Sequence, residues 1–136
     1  MQISVVWQGG MRFEGQGESV ASVVMDAPPV VGGEGKGFRP KELLLAGLAG
    51  CTAMDVISIL RKMRSEPAKF RVEVEAGETE EHPKVLSSFH IKYIVSNDVP
   101  DDKLLKAIDL SQERYCGVTS MYRSFAPVTH EVVRED

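Results

Sequence analysis

Apolar and polar residues alternate at both ends of the chain and in its middle, and between them runs one long stretch that is apolar on almost every face. Ile3, Val5 and Trp7 alternate with Gln2 and Ser4, the period-two mark of a half-buried strand. Gln8-Gly9-Gly10-Met11 reads as a hairpin turn, because glycine tolerates the positive φ such turns need. Arg12 to Gln16 and Ser19 to Met25 read as two further strands, so the chain opens with a three-stranded meander. Asp26 to Phe38 carries Pro28, Pro29, Gly32, Gly33, Gly35 and Gly37, a loop near the upper end of ordinary length and so expected to be mobile or functional.

Pro40 suits the first turn of a helix, where its missing N–H costs nothing. No strong breaker follows until about Arg64, which gives a helix ~35 Å long. Leu43 to Leu60 is apolar all round, so the helix is expected to be buried. Asp55 at its centre speaks against a membrane span, since intramembrane carboxylates are costly. The small residues Ala46, Gly47, Ala49, Gly50 and Ala53 favour close approach by another backbone. In so short a chain, part of that cover is expected from a second subunit.

Pro67 closes the helix. Phe70, Val72 and Val74 alternate with Arg71, Glu73 and Glu75, and Phe89, Ile91, Tyr93 and Val95 alternate with His90 and Lys92, giving a hairpin across the polar turn Gly77 to Pro83. Pro100-Asp101-Asp102 opens a second helix with acids where the helix dipole prefers them. Leu104, Leu105, Ile108 and Tyr115 form its apolar stripe, and Cys116-Gly117 ends it. Val118 to Ser124 reads as a short further helix and Pro127 to Val133 as a last strand. The order βββ–α–ββ–α–β is an α+β pattern in a single domain, residues 1–136.

Composition narrows the function. Sixteen Lys+Arg stand against 20 Asp+Glu, and there is no basic stripe, so no nucleic-acid partner is expected. Met1-Gln2-Ile3-Ser4 lacks a positive segment followed by an apolar one, so a cytoplasmic protein without a membrane anchor is expected. In a reducing compartment two cysteines are free thiols or a redox pair rather than a permanent staple.

Cys51 lies in mid-helix among small residues. It is either a small core hydrophobe or a thiolate nucleophile that needs a nearby cation. Asp55, one turn on, would raise a neighbouring thiol's pKa and is not the activator. Cys116, at a helix C-terminus where the dipole disfavours a thiolate, suits a resolving thiol that attacks a sulfenic acid. Arg12 follows the glycine turn and reads by default as a solvated strand residue. Glu42 opens the long helix ~13 Å from Cys51 along the axis, beyond direct contact unless the chain bends or a symmetry mate's helix packs alongside. His82, His90 and His130 are scattered, the cysteine spacing fits no zinc pattern, and no phosphate-binding motif is present. No metal and no cofactor are expected.

Pro40 to Val56, with Gly10-Met11-Arg12-Phe13-Glu14-Gly15 and Arg114-Tyr115-Cys116-Gly117-Val118-Thr119, resembles the OsmC/Ohr family of osmotically induced and organic-hydroperoxide-resistance proteins. The resemblance runs through the whole length. It implies an intertwined α+β homodimer with central buried helices, and sites at the dimer interface. It implies reduction of organic, and also inorganic, hydroperoxides through a Cys51 sulfenic acid and a Cys51–Cys116 disulfide, reopened by a dithiol of lipoyl type. Arg12 would hold Cys51 as thiolate and a carboxylate would orient Arg12. Lys41 occupies the place where the hydroperoxide-resistance branch has that glutamate, and the acid here is Glu42, a pattern closer to an OsmC-like subgroup. The alternatives are a non-catalytic small-ligand-binding or stress-response protein with inert thiols, and another thiol chemistry on the same pair.

Overall fold

Two compact units make up the chain in the computed structural model, residues 1–44 and 45–136, with residues 1–19 and 21–136 described. Val20, inside the predicted third strand, lies outside the described residues.

In the first unit β1 (Ser4–Trp7), β2 (Phe13–Gln16) and β3 (Ser22–Met25) form an antiparallel meander in sequence order. Trp7 pairs with Phe13 across the first turn, and Gly9 (φ 95°) and Gly10 (φ 54°) supply its left-handed corner. Arg12 belongs to that turn and not to the strand, because its N–H and C=O are spent on Gly9 and Gln8. Both faces of β1 are exposed, with Trp7 at 64%.

The glycine-rich loop is ordered around one carboxylate. Asp26 is 6% exposed and accepts N–H bonds from Ala27 (2.8 Å), Glu34 (3.2 Å) and Lys36 (3.2 Å). These N–H groups, that of Lys36 foremost, hold its carboxyl below the ordinary aspartate range, against the opposing effect of burial. Gly33 is required here, since a Cβ would lie 1.9 Å from the Ala27 carbonyl oxygen.

The second unit holds most of α1 (Pro40–Lys62), then β4 (Phe70–Glu78), β5 (Leu86–Val95), α2 (Asp101–Leu110), α3 (Gly117–Arg123) and β6 (Val128–Arg134). β5 is the central strand, antiparallel to β4 and parallel to β6. As the alternation predicts, Phe89, Ile91, Tyr93 and Val95 are buried and form the core with Leu48, Val56 and Leu60 of α1 and Leu104, Ala107 and Ile108 of α2. The α+β order agrees with the pattern read from the sequence.

Two expectations, on α2 and on Cys116, are corrected. Within one chain helix α1 buries a single stripe, Leu48, Thr52, Val56 and Leu60, one residue per turn, and the rest of its surface is what the expected second subunit would cover. Met54, on another face, is 75% exposed. The α2 stripe is Leu104, Ala107 and Ile108, while Leu105 and Tyr115 are exposed. A π-helical turn, Ser111–Tyr115, shifts the helical phase and carries Tyr115 off the stripe. Finally, Cys116 does more than end α2: it also caps the N-terminus of α3.

Asp26 gives the loop a specific acid sensitivity. A carboxylate with a depressed folded pKa stabilises above the unfolded value of about 3.9, and this is lost as pH falls through the folded pKa. At neutral pH, Asp26→Asn should speed hydrogen exchange at the Glu34 and Lys36 amides and lower the urea midpoint. Both gaps should close as pH falls through the depressed Asp26 pKa; a gap that persists once the carboxyl is protonated would show the charge to be irrelevant.

Candidate active site

The two cysteines, far apart in sequence, arrive at one place from different elements. Cys51 sits on α1 immediately before the buried Thr52 and is half-buried; Cys116 sits between the π turn and α3 and is 3% exposed. Both are free thiols. Their sulfurs and a carboxylate oxygen of Asp55 all lie within 4.8 Å of one another. One turn of helix places Asp55 over Cys51, as the spacing implies.

The π turn fixes Cys116. Its N–H donates to the Ser111 carbonyl at 2.9 Å, an i to i−5 bond, and its backbone then turns extended (φ −76°, ψ 99°). Cys116 Sγ accepts the Thr119 N–H at 3.4 Å. A sulfur at a helix C-terminus faces carbonyls, but this one faces an N–H of the next helix, so the dipole argument against a thiolate does not hold as drawn from the sequence. Burial nonetheless pushes the Cys116 thiol up; its contacts with Thr119 work against that and the neighbouring Cys51 reinforces it.

Behind the sulfurs lies a chain of buried hydroxyls. Thr52 Oγ1 hydrogen-bonds both Tyr93 Oη and Ser111 Oγ at 2.7 Å. Ser111 Oγ donates to Asp55 Oδ2 at 3.0 Å, and Gln112 Nε2 donates to Tyr93 Oη at 2.6 Å. Arg123 donates to the Gln112 carbonyl and side-chain oxygens at 3.2 and 3.1 Å. Burial holds the Tyr93 phenol above its ordinary pKa, so it remains a neutral hydrogen-bonding hub.

The remaining sequence candidates lie in the first unit. Arg12 Nε donates to Gln8 Oε1 at 3.0 Å. Glu42 Oε1 accepts the Arg39 N–H at 2.9 Å, half of a capping box at the start of α1. The histidines carry no part of the thiol cluster: His90 is satisfied by Thr129 (2.7 Å) and Glu131 (2.8 Å), and His130 meets the Tyr93 ring edge-on. Sequence reading missed Thr52, Tyr93, Ser111 and Gln112. Buried polar residues carry no periodic signal, although Thr52 on the apolar stripe and Ser111-Gln112 just past α2 were visible as interruptions.

Comparison with known proteins bears on this site. The sequence model of the OsmC-like protein family matches residues 33–131. Protein YhfA of Escherichia coli strain K12 is 34% identical over 132 residues, 96% of this chain and 95% of YhfA. Among solved structures, a hypothetical protein from Aquifex aeolicus VF5 aligns with a TM-score of 0.82 at 28% identity, covering 99% of this chain and 97% of that one. The organic hydroperoxide resistance protein OhrB of Bacillus subtilis shares the fold, with a TM-score of 0.68 at 15% identity, covering 97% and 98%.

The hydroxyl chain gives a direct test of packing around the thiols. Tyr93→Phe removes the acceptor for the buried Gln112 amide and a partner of Thr52. It should cost about 1–3 kcal/mol in urea unfolding and raise the alkylation rate of Cys116 under native conditions. An unchanged midpoint with unchanged alkylation would show the network to be dispensable.

Proposed function

We propose that this chain, which belongs to the OsmC-like protein family, is a thiol peroxidase that reduces organic hydroperoxides. The observation that supports the reading is the pairing of a half-buried sulfur with a buried one within 4.8 Å. Rotation of the two side chains would have to close that gap for the disulfide to form. The fold is shared with a protein named for organic hydroperoxide resistance.

In the proposed cycle Cys51, as thiolate, attacks the peroxide O–O bond. One oxygen is transferred to sulfur as a sulfenic acid, and the other leaves as the alcohol after taking a proton. The Cys116 thiol then displaces water from the sulfenic acid and forms the Cys51–Cys116 disulfide. An external dithiol, of lipoyl type by family resemblance, reduces that bond by exchange and leaves as its own disulfide. Cys51 suits the peroxidatic role because it is the more accessible of the two; Cys116, sheltered and held by Thr119, suits the resolving one. Arg12 and Glu42 enter on the resemblance alone, Arg12 as the cation stabilising the thiolate and the departing oxygen, Glu42 as its orienting acid. The reading places the protein in the cytoplasm, where its thiols stay reduced.

The functional assembly is proposed to be a homodimer. The first unit leaves β1 uncovered on both faces. On α1, a Cβ at Gly47 or Gly50 would meet nothing within 4 Å, and Met54 is exposed. A second copy would cover these surfaces. The Asp55 carboxylate favours a second reading, a non-catalytic small-ligand binder with inert thiols, because a negative charge beside a thiol opposes thiolate formation.

Mass spectrometry after one equivalent of an organic hydroperoxide separates the two readings. A Cys51–Cys116 disulfide in the wild type, none in Cys51→Ser, and a trappable Cys51 sulfenic acid in Cys116→Ser are expected. Two unmodified thiols would eliminate the peroxidase. In the same assay Arg12→Gln should slow oxidation about 100- to 1,000-fold; wild-type rates would remove Arg12 from the mechanism. Light scattering should give twice the chain mass for wild type, and Gly50→Leu should shift the protein toward monomer. A wild-type monomer at assay concentration would end the dimer proposal.

A further inference from the structure

Asp55 is the group the peroxidase reading leaves without a use. It lies on the thiol pair, where a carboxylate hinders thiolate chemistry. Its hydrogen bond comes from Ser111, and among the described residues it makes no salt bridge. Two thiols and a carboxylate converging within 4.8 Å form three anionic donors once the thiols ionise, with no cation of the second unit paired to the carboxylate. A divalent ion would resolve that charge.

We infer that Cys51, Asp55 and Cys116 form a binding site for a thiophilic divalent cation of the zinc class, with Cys51 Sγ, Cys116 Sγ and one Asp55 carboxylate oxygen as ligands and a fourth position open to water. Tetrahedral zinc with Zn–S of about 2.3 Å and Zn–O of about 2.0–2.2 Å spaces its ligand atoms about 3.5–3.8 Å apart. The cluster therefore needs to contract by roughly 1 Å, within rotamer adjustment. The donor set, two soft thiolates and one oxygen, selects zinc, cadmium or cobalt over magnesium or calcium. Sequence spacing hides the site, because its two sulfurs come from distant segments and its acid from one helix turn beyond the first.

The surroundings supply the outer contacts such a site requires. Ser111 donates to Asp55 Oδ2 and is held in turn by Thr52, so the carboxylate beside the sulfurs is oriented. Thr119 donates its N–H to the Cys116 sulfur, and its fully buried hydroxyl, in no other hydrogen bond, lies against the same sulfur. Both groups would stabilise the negative charge that the sulfur carries when ligated. Binding releases the two thiol protons to solvent and changes no oxidation state. The ion and the disulfide compete for the same sulfurs, so a bound ion would hold the pair reduced and unreactive, and the oxidised pair could not bind. The site exists independently of whether the thiols reduce peroxides.

Cobalt(II) titration of the reduced protein, without peroxide, tests this. One equivalent per chain should develop the visible bands of a tetrahedral thiolate complex, and zinc should bleach them. The bands should vanish in Cys51→Ser and in protein pre-oxidised to the disulfide. Ser111→Ala, which spares all three ligands, should weaken binding about ten- to a hundredfold, and Asp55→Asn at least as much. Absence of a cobalt complex in the reduced wild type would overturn the site. So would affinity unaltered by both Asp55→Asn and Ser111→Ala, which would reduce it to an adventitious thiol pair. Both outcomes are read without peroxide, so neither depends on the peroxidase assay.

Discussion

The arrangement of the second unit depends on one buried hydroxyl contact, the 2.7 Å hydrogen bond between Thr52 on α1 and Ser111 at the start of the π turn. Both residues are wholly buried, and each hydroxyl has a second partner, Tyr93 for Thr52 and Asp55 for Ser111, so the bond sits inside a satisfied buried network. The bond therefore fixes helix α1 against the turn that delivers Cys116. Each sulfur is a near neighbour of an anchor: Cys51 precedes Thr52, and Cys116 donates its N–H to the Ser111 carbonyl. The separation of the sulfurs is thus set by polar contacts, while Leu48, Val56 and Leu60 hold the helix against the sheet without specifying its register.

The π turn is the second constraint. A regular α-helix through residue 116 would carry the cysteine about 100° further round and continue the α2 axis. The extra residue breaks that periodicity, leaves Tyr115 in solvent and lets Cys116 both end one helix and cap the next. The thiol is buried and pushed up in pKa, yet it faces an N–H and not a row of carbonyls. Its sheltered, hydrogen-bonded sulfur is chemically unlike the more accessible Cys51, and that asymmetry is what a division of labour between two thiols requires.

The charge around the pair is the point at which chemistry and fold pull apart. Within the second unit the sulfurs face a carboxylate, and Arg123, tied to Gln112, serves the hydroxyl network. Activation of a thiolate and neutralisation of Asp55 both call for positive charge. The peroxidase reading obtains it from Arg12, and the metal reading from a bound cation. They are alternative occupants of the same electrostatic need.

Hydrophobic periodicity by itself determined the elements: the opening meander, the long helix, the Phe70 to Val95 hairpin and the last strand, because alternation and helical spacing are local properties of the chain. The motifs around Cys51 and Cys116 made the family legible, since those segments are specific in residue type as well as in pattern. Only the tertiary structure decided that β6 runs parallel to β5, that α1 buries one stripe and not its whole surface, and that Asp55 shares a site with both sulfurs. These depend on contacts between residues distant in sequence and on a π turn that no repeating pattern announces. Buried polar groups such as Thr52, Tyr93 and Ser111 acquire meaning only once their partners are in place, because a hydrogen bond belongs to a pair and a sequence presents its members singly.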